Sequence, residues 1–284
     1  MAITLSSYIT SCRRLLHDAQ ANFWSDQELT DYINEARNRV SVDTGCTRSL
    51  QSIILNVQTC SGTANGTNTI TGVTPSPDQT WIGSSIQGSG LTGIVSSNPI
   101  IETVTGTTIT MSGTATAGTV TFTYYQEAYP FTSVPTPSGT SIVDIANISC
   151  IWGNTRYVLQ YKPWSEYNAL MRSYVAFQQR PVMFSIYGQN TVFIGPIVDQ
   201  QYVTEWDCVI TPAEFSTSIP AASQTETITY PYTEPVVYYA CYLAKIKDSS
   251  WDEAQVFKQE YFDKVKHAIA ASGMRRLPNV YASM

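Results

Sequence analysis

The stretch from Phe23 to Arg48, FWSDQELTDYINEARNRVSVDTGCTR, permits little but a helix with a defined start and stop. Ser25 and Glu28 stand three residues apart, the spacing of a capping box in which each side chain satisfies a backbone N–H at the helix start. Trp24 before the cap and Leu29 in the first turn are placed to form a hydrophobic staple. Leu29, Tyr32, Ile33, Ala36 and Val40 recur at helical spacing on one face, with Asp31, Glu35 and Arg39 on the other. Gly45 follows the last turn, where a left-handed residue ends a helix.

The same periodicity recurs at both ends of the chain. Residues 4–18 predict a helix capped by Thr4, with Leu5, Tyr8, Ile9, Cys12, Leu15 and Leu16 on its apolar face. The short link HDAQANFW makes it an antiparallel neighbour of the next helix. Near the other end, Glu234–Lys247 predicts a helix with Thr233 as cap and Pro235 in its first turn. It is apolar nearly all round, which predicts burial on every side. Ser250 and Glu253 predict a second capping box. Behind it, Ala254, Phe257, Tyr261, Val265 and Ala268 line one face of a helix that Gly273 stops. Neither terminal pair has a local partner for its apolar face. The expected solution is one bundle of residues 1–49 and 233–284, with the middle of the chain inserted.

That middle changes character. From Thr59 to Gln126 the chain is rich in Thr, Ser and Gly, and only Asp78 and Glu102 carry charge. Runs such as Thr119-Val120-Thr121-Phe122-Thr123-Tyr124 alternate strictly, which predicts a small antiparallel β-module over about 50–130. Residues 130–140 (PFTSVPTPSGT) predict a linker. The rest of 131–232 predicts strands at 141–152, 156–161, 182–187, 191–194 and 202–210, with a helix from Pro163 to about Phe177, and then a polar loop. The fold class expected is α+β: a terminal helical bundle with a large β-rich insertion.

Charge and chemistry narrow the function. Charged residues make up 13% of the chain, about half the usual share, while 18 Tyr and 6 Trp are present. Such a surface favours broad protein contacts. The net charge of −6, from 22 acids and 16 bases, lacks the basic excess that phosphate-gripping proteins show. Six scattered cysteines form no C-x-x-C pair, so free thiols are expected. Residues 1–20 do not resemble a signal peptide, and no apolar run reaches the length of a membrane span. His17 and His267, the only histidines, lack ligand spacing, so no metal site or cofactor is expected. Gly88-Ser89-Gly90 fails the strand-to-helix context of a nucleotide loop. Glu28, Asp31 and Glu35 form the one dense set of carboxylates, which glycoside hydrolysis would need; a capped, wet helix face accounts for them. No enzyme is expected.

LLHDAQANFWSDQELTDYINEARNRVSVDTGCTR resembles the opening of head-to-tail adaptor (connector) proteins of tailed, mainly short-tailed, bacteriophages. Met183 to Pro212 is similar to the strand–turn–strand pattern of that family, through Tyr187-Gly188, Val192–Ile194, Pro196, Asp199 and Tyr202. Thr233 to Ala268 resembles its C-terminal helix pair. The stretch IGSSIQGSGLTGIVSSNPIIETVTGTTITMSGTATAGTVTFTY looks like β-modules of phage structural proteins. The resemblance implies a virion protein, assembled in the bacterial host cytoplasm. It would form a homo-oligomeric ring, usually of twelve copies, between the portal protein and the tail nozzle or tail fibres, with genomic DNA passing through. It also implies that the segment after the last helix reaches into the portal. Here that segment contains Arg275, Arg276, Leu277, Pro278 and Tyr281, a basic pair followed by apolar and aromatic residues, a form common in docking peptides.

Two other readings stay open at this stage. The Thr/Gly-rich module suits a receptor-binding tail component, which predicts that residues 59–126 bind cells or glycans. The helix carboxylates suit a virion-associated cell-wall hydrolase, which predicts turnover lost in Glu28→Gln or Glu35→Gln.

Overall fold

The computed structural model describes residues 3–55, 57–93, 98–174, 179–188 and 190–273. It is a mixed α+β protein with several antiparallel sheets, and the chain divides into two compact units. The first comprises residues 1–49, 136–143 and 209–284. The second comprises residues 50–135 and 144–208.

The first unit holds four helices: α1 (Leu5–Leu15), α2 (Asp26–Thr44), α4 (Glu234–Lys247) and α5 (Trp251–Gly273). Helix α4 touches the other three, and α1 and α5 each also pack on α2. Their shared core contains Leu5, Tyr8, Leu29, Ile33, Val40, Val236 and Tyr261. The small buried residues Ala36, Ala240, Cys241 and Ala244 let the helix axes approach. Both N-terminal helices carry reciprocal caps, Thr4 with Ser7 and Ser25 with Glu28, each worth about 1 kcal/mol. Gly45 closes α2 at φ 59°, where its N–H bonds the Ser41 carbonyl.

The link between α1 and α2 is organised around one buried carboxylate. Asp18 accepts the N–H groups of Asn22, Phe23 and Trp24 at 2.8, 3.3 and 3.1 Å. Arg13 donates to Asp18 at 3.0 Å and to the Trp24 carbonyl at 2.8 Å.

Some expected local features differ. Thr233 does not cap α4: its backbone is already helical (φ −79°, ψ −22°), and its buried hydroxyl finds no hydrogen-bond partner among the described residues. Pro235, which has no N–H, removes part of the need for a cap. Helix α4 is also not enclosed on every side. Val236, Ala240, Cys241 and Ala244 are buried, while Tyr238, Tyr239 and Tyr242 are half-covered. Ser250 donates to Asp248, and Glu253 pairs with Lys245 at 2.6 Å. The loop before α4 is not purely polar either, because Phe215 and Ile228 are buried within it. It also returns to the N-terminus through bonds from Leu5 N–H to Gln224 O and from Glu226 N–H to Ile3 O.

In the second unit a six-stranded antiparallel sheet runs β4 (Ser85–Gly88), β9 (Gly118–Tyr125), β2 (Val57–Ala64), β3 (Thr69–Thr74), β7 (Thr108–Met111), β6 (Ile101–Thr105). Two shorter strands, β5 (Leu91–Gly93) and β8 (Gly113–Ala115), pair beside it. The alternation read in the sequence sets the faces. Val120, Phe122 and Tyr124 of β9 are buried and Thr119 and Thr121 exposed. Trp81 stacks on Tyr124 at 3.9 Å over a core of Ile70, Ile86, Ile109 and Phe122.

A second sheet orders β10 (Ala128–Pro130), β15 (Thr191–Gly195), β14 (Met183–Tyr187) and β13 (Gln160–Tyr161). Strands β13 and β14 are parallel, so the chain needs a crossover, and α3 (Trp164–Tyr174) supplies it. A third sheet runs β1 (Arg48–Leu55), β16 (Tyr202–Ile210), β11 (Ile142–Trp152), β12 (Thr155–Val158). Residues 130–134 are not a free linker. Pro130 ends β10, a short 3-10 turn follows at Phe131–Ser133, and Phe131 and Val134 are buried. Pro130, at φ −60°, leads into that turn.

Candidate functional site

Helix α5 is apolar on two faces. Ala254, Tyr261, Val265 and Ala268 turn inward to the core of the first unit. Trp251, Phe262 and Ile269 follow one another at spacings that return to the same side of a 3.6-residue helix. They are 60%, 42% and 46% exposed. On α4, Tyr242 and Tyr238 lie under the ammonium groups of Lys258 (5.6 Å) and Lys264 (5.9 Å). Lys264 also reaches Glu234 at 3.3 Å. The outer side of this helix pair is therefore an aromatic surface edged by charges, a composition that suits a protein partner.

The second unit shows a related pattern. Leu50 and Ile54 on β1, Val203 on β16 and Val158 on β12 are exposed. Between strands, Arg156 pairs with Glu205 at 2.9 Å. A sheet surface with these exposed apolar side chains beside the Arg156–Glu205 pair has the make-up of a contact surface.

The carboxylates considered for catalysis do other work. Glu28 accepts from Lys247, from the Ser25 N–H and from the Ser25 hydroxyl. The Lys247 bond, then those from Ser25, push its carboxyl down to about 2. A carboxyl so acidic stays ionised and cannot serve as a general acid near neutrality. Asp31 takes the Gln27 amide at 2.8 Å, and Glu35 is exposed on the helix surface. The carboxyl with the opposite shift is Glu127, between β9 and β10. Burial pushes it up to about 7, opposed by a bond from the Ser85 N–H. It faces Tyr167, whose hydroxyl is pushed above its ordinary range by burial, by Glu127 and by Tyr129.

His17 and His267 are both exposed, His17 with a left-handed backbone (φ 57°) and His267 inside α5. Among the described residues no group of three His, Cys, Asp or Glu side chains is placed to hold a metal ion. No helix among them is long and apolar enough to cross a membrane. All six cysteines are free thiols, five of them buried. Burial raises the pKa of Cys60 and Cys208 to about 11, which keeps both as unreactive thiols.

The residues singled out in the C-terminal segment, Arg275, Arg276, Leu277, Pro278 and Tyr281, lie outside the described residues. The outer stripe of α5 was legible in the sequence, since Trp251, Phe262 and Ile269 are spaced by eleven and seven residues. The inward pattern of the same helix masked it. The buried pair of Arg37 with Glu226 carried no local signal, because its members are far apart in the chain.

A family model described as SU10 adaptor protein matches residues 128–281, a little over half of the chain. No curated protein matches it.

Proposed function

The chain belongs to the SU10 adaptor protein family, a family of phage structural adaptors, and from this premise we propose that it forms the ring joining portal to tail. The family match carries this reading: it spans the strands from β10 onward together with α4 and α5. Ring subunits need large lateral contacts, and the exposed stripe of α5 and the apolar sheet surface offer them. Contacts between different surfaces of identical copies close into a ring when the rotation permits.

In this reading about twelve copies stack on the portal protein, and the assembly meets the tail nozzle or tail fibres on its other side. The segment 274–284, with Arg275, Arg276, Leu277, Pro278 and Tyr281, docks into the portal. At −6 per copy the collar is acidic. An acidic lumen repels phosphate and lets the genome slide through without gripping it. The protein resides in the virion neck after assembly in the host cytoplasm, and its role is structural.

Electron microscopy of the purified chain mixed with isolated portal rings tests this. A ring of added density on one portal face is expected. Portals left bare at saturating protein would overturn the proposal, and a basic lumen in the assembled ring would overturn the sliding account.

A further inference from the structure

We propose that Trp152, Tyr157 and Arg180 form a contact hot spot that receives a surface carboxylate of a second copy of this chain. The inference rests on the ring reading above and specifies one of its contacts.

Strands β11 and β12 form a hairpin with Trp152 opposite Thr155 at its end. Gly153 makes the turn with φ 59°, a conformation that side-chain-bearing residues rarely adopt. Trp152 projects from this rigid end and is 51% exposed. Its ring lies 6.1 Å from that of Tyr157, tilted by 45°. The guanidinium of Arg180 sits 4.0 Å above Tyr157 and 5.0 Å from Trp152. A guanidinium held over aromatic faces keeps N–H groups for an outside acceptor, and a carboxylate matches them with two parallel bonds.

Four of the other arginines are already paired. Arg13, Arg37, Arg39 and Arg156 each hold a carboxylate of this chain. Arg156, on the same hairpin, is neutralised by Glu205. Arg180 is stacked on two rings and has no carboxylate partner among the described residues. Trp, Tyr and Arg are the side chains that dominate binding energy at protein contacts, because they bury large area at little entropic cost.

Charge complementarity selects the occupant. The chain has six more acids than bases, so every copy presents carboxylates to its neighbours. Glu35 and Glu214 line one shallow depression beside α2, with Asp31, Asn34 and Asn38. Neither glutamate meets a cation among the described residues, which makes them the natural choice for charge exchange. A DNA phosphate would have to approach a chain of net charge −6, and that balance opposes it.

The test uses the full-length chain. Sedimentation velocity over a concentration series measures self-association, and microscopy counts copies per portal ring in parallel. Trp152→Ala and Arg180→Glu are expected to weaken association at least tenfold with unchanged circular dichroism and melting. Arg180→Lys should fall between, because it keeps the charge and loses the plane. Glu35→Arg or Glu214→Arg should weaken association alone and restore it in part when joined to Arg180→Glu. Folded variants that associate like the wild type would sink the hot spot and leave the ring standing. A wild type that stays monomeric both alone and with portals would sink both. Weakening by Arg180→Glu that no carboxylate reversal repairs would overturn the carboxylate as occupant. So would a fluorescent DNA duplex whose binding, in place of self-association, is lost in Arg180→Glu.

Discussion

Arg37 and Glu226, 189 residues apart in the chain, meet in a two-pronged ion pair, with Nε to Oε2 and Nη2 to Oε1 both 2.9 Å. Each side chain is 1% exposed. The guanidinium also donates to the Ala213 carbonyl at 2.8 Å and lies 3.8 Å over the Phe215 ring. Glu226 further accepts the N–H groups of Thr227 and Ile228 at 2.7 and 2.9 Å. Burial and the Glu226 charge together push the neighbouring Tyr8 hydroxyl above its ordinary range, so it stays neutral. The pair ties α2 to the segment that leads into α4.

Breaking that pair from one side leaves a buried charge without its partner. Arg37→Ala or Glu226→Ala is expected to cost about 3–5 kcal/mol, while Arg37→Met with Glu226→Leu costs clearly less than the two singles together. Urea unfolding of the four proteins measures it. Singles within about 1 kcal/mol of wild type would show that water reaches the pair.

Acid sensitivity is expected to arise at the start of α2. Burial disfavours the charge on Asp18, but the N–H groups of Trp24, Asn22 and Phe23 and the Arg13 guanidinium outweigh it and hold the carboxyl below its ordinary value. Glu28 is pushed down to about 2, by Lys247 first and Ser25 next. A depressed folded-state pKa gives stability that is full above about pH 4 and is lost as pH falls through the folded values. Asp18→Asn should therefore lower the urea midpoint at pH 7 and flatten its fall between about pH 5 and 2. An acid limb as steep as wild type would assign the sensitivity elsewhere.

Glu127 predicts the opposite sign. Its carboxyl is raised to about 7 by burial, against about 4.3 in an unfolded chain. Between those values the folded state holds a proton that the unfolded state has released, so stability falls as pH rises. Glu127→Gln removes the slope and should stabilise the protein at pH 8 by about 1–3 kcal/mol. Melting temperature against pH for both proteins checks it. A variant less stable than wild type at pH 8 would mean that the ionised carboxylate is held by partners.

These cases show what a sequence discloses. The caps of Thr4 and Ser25, the stop at Gly45 and the alternation in β9 depend on neighbours within a few residues, and each was readable. Arg37 was not, because a lone arginine on the apolar side of a helix has meaning only beside Glu226. Asp18 sat in a stretch that read as a plain link, since nothing in a sequence shows three N–H groups converging. Thr233 looked like a cap by residue type, and its helical backbone angles removed that role. On α5 the inward face was plain in the periodicity and the exposed stripe was hidden behind it. Trp152 and Arg180 meet only after β11 and β12 have folded into a hairpin.

Gly88 carries a packing constraint rather than a nucleotide-binding one. A Cβ built there lies 2.5 Å from the Thr121 carbonyl oxygen and 2.9 Å from Phe122 Cα, because β4 and β9 run edge to edge. Backbone atoms cannot swing aside as a side chain does. Gly88→Ala is expected to destabilise the protein by about 1–3 kcal/mol, read from urea unfolding. Gly72→Ala is the comparison: nothing lies within 4 Å of its added Cβ, and the cost there is that of its positive φ alone. Equal losses at the two sites would remove close approach as the reason for Gly88.

The proposed ring gives the two faces of α5 different tasks, folding on one and assembly on the other. Tyr261 is buried, lies 4.9 Å from the Tyr239 ring at a tilt of 58° and donates to Asp43 at 2.7 Å, so Tyr261→Ala should lower stability by about 3–5 kcal/mol. Trp251 and Phe262 on the outer face contribute little to the isolated chain, and Trp251→Ser with Phe262→Ser should change its stability by no more than about 1 kcal/mol. In the ring proposed above the same two side chains would be removed from water, and at about 25 cal/mol per Å² of apolar area they would become the larger contributors. The double variant is therefore expected to melt like the wild type and fail to decorate portal rings in electron micrographs. Full decoration by the folded double variant would move the ring contact off α5, leaving the sheet surface of Leu50, Ile54, Val203 and Val158 to carry it.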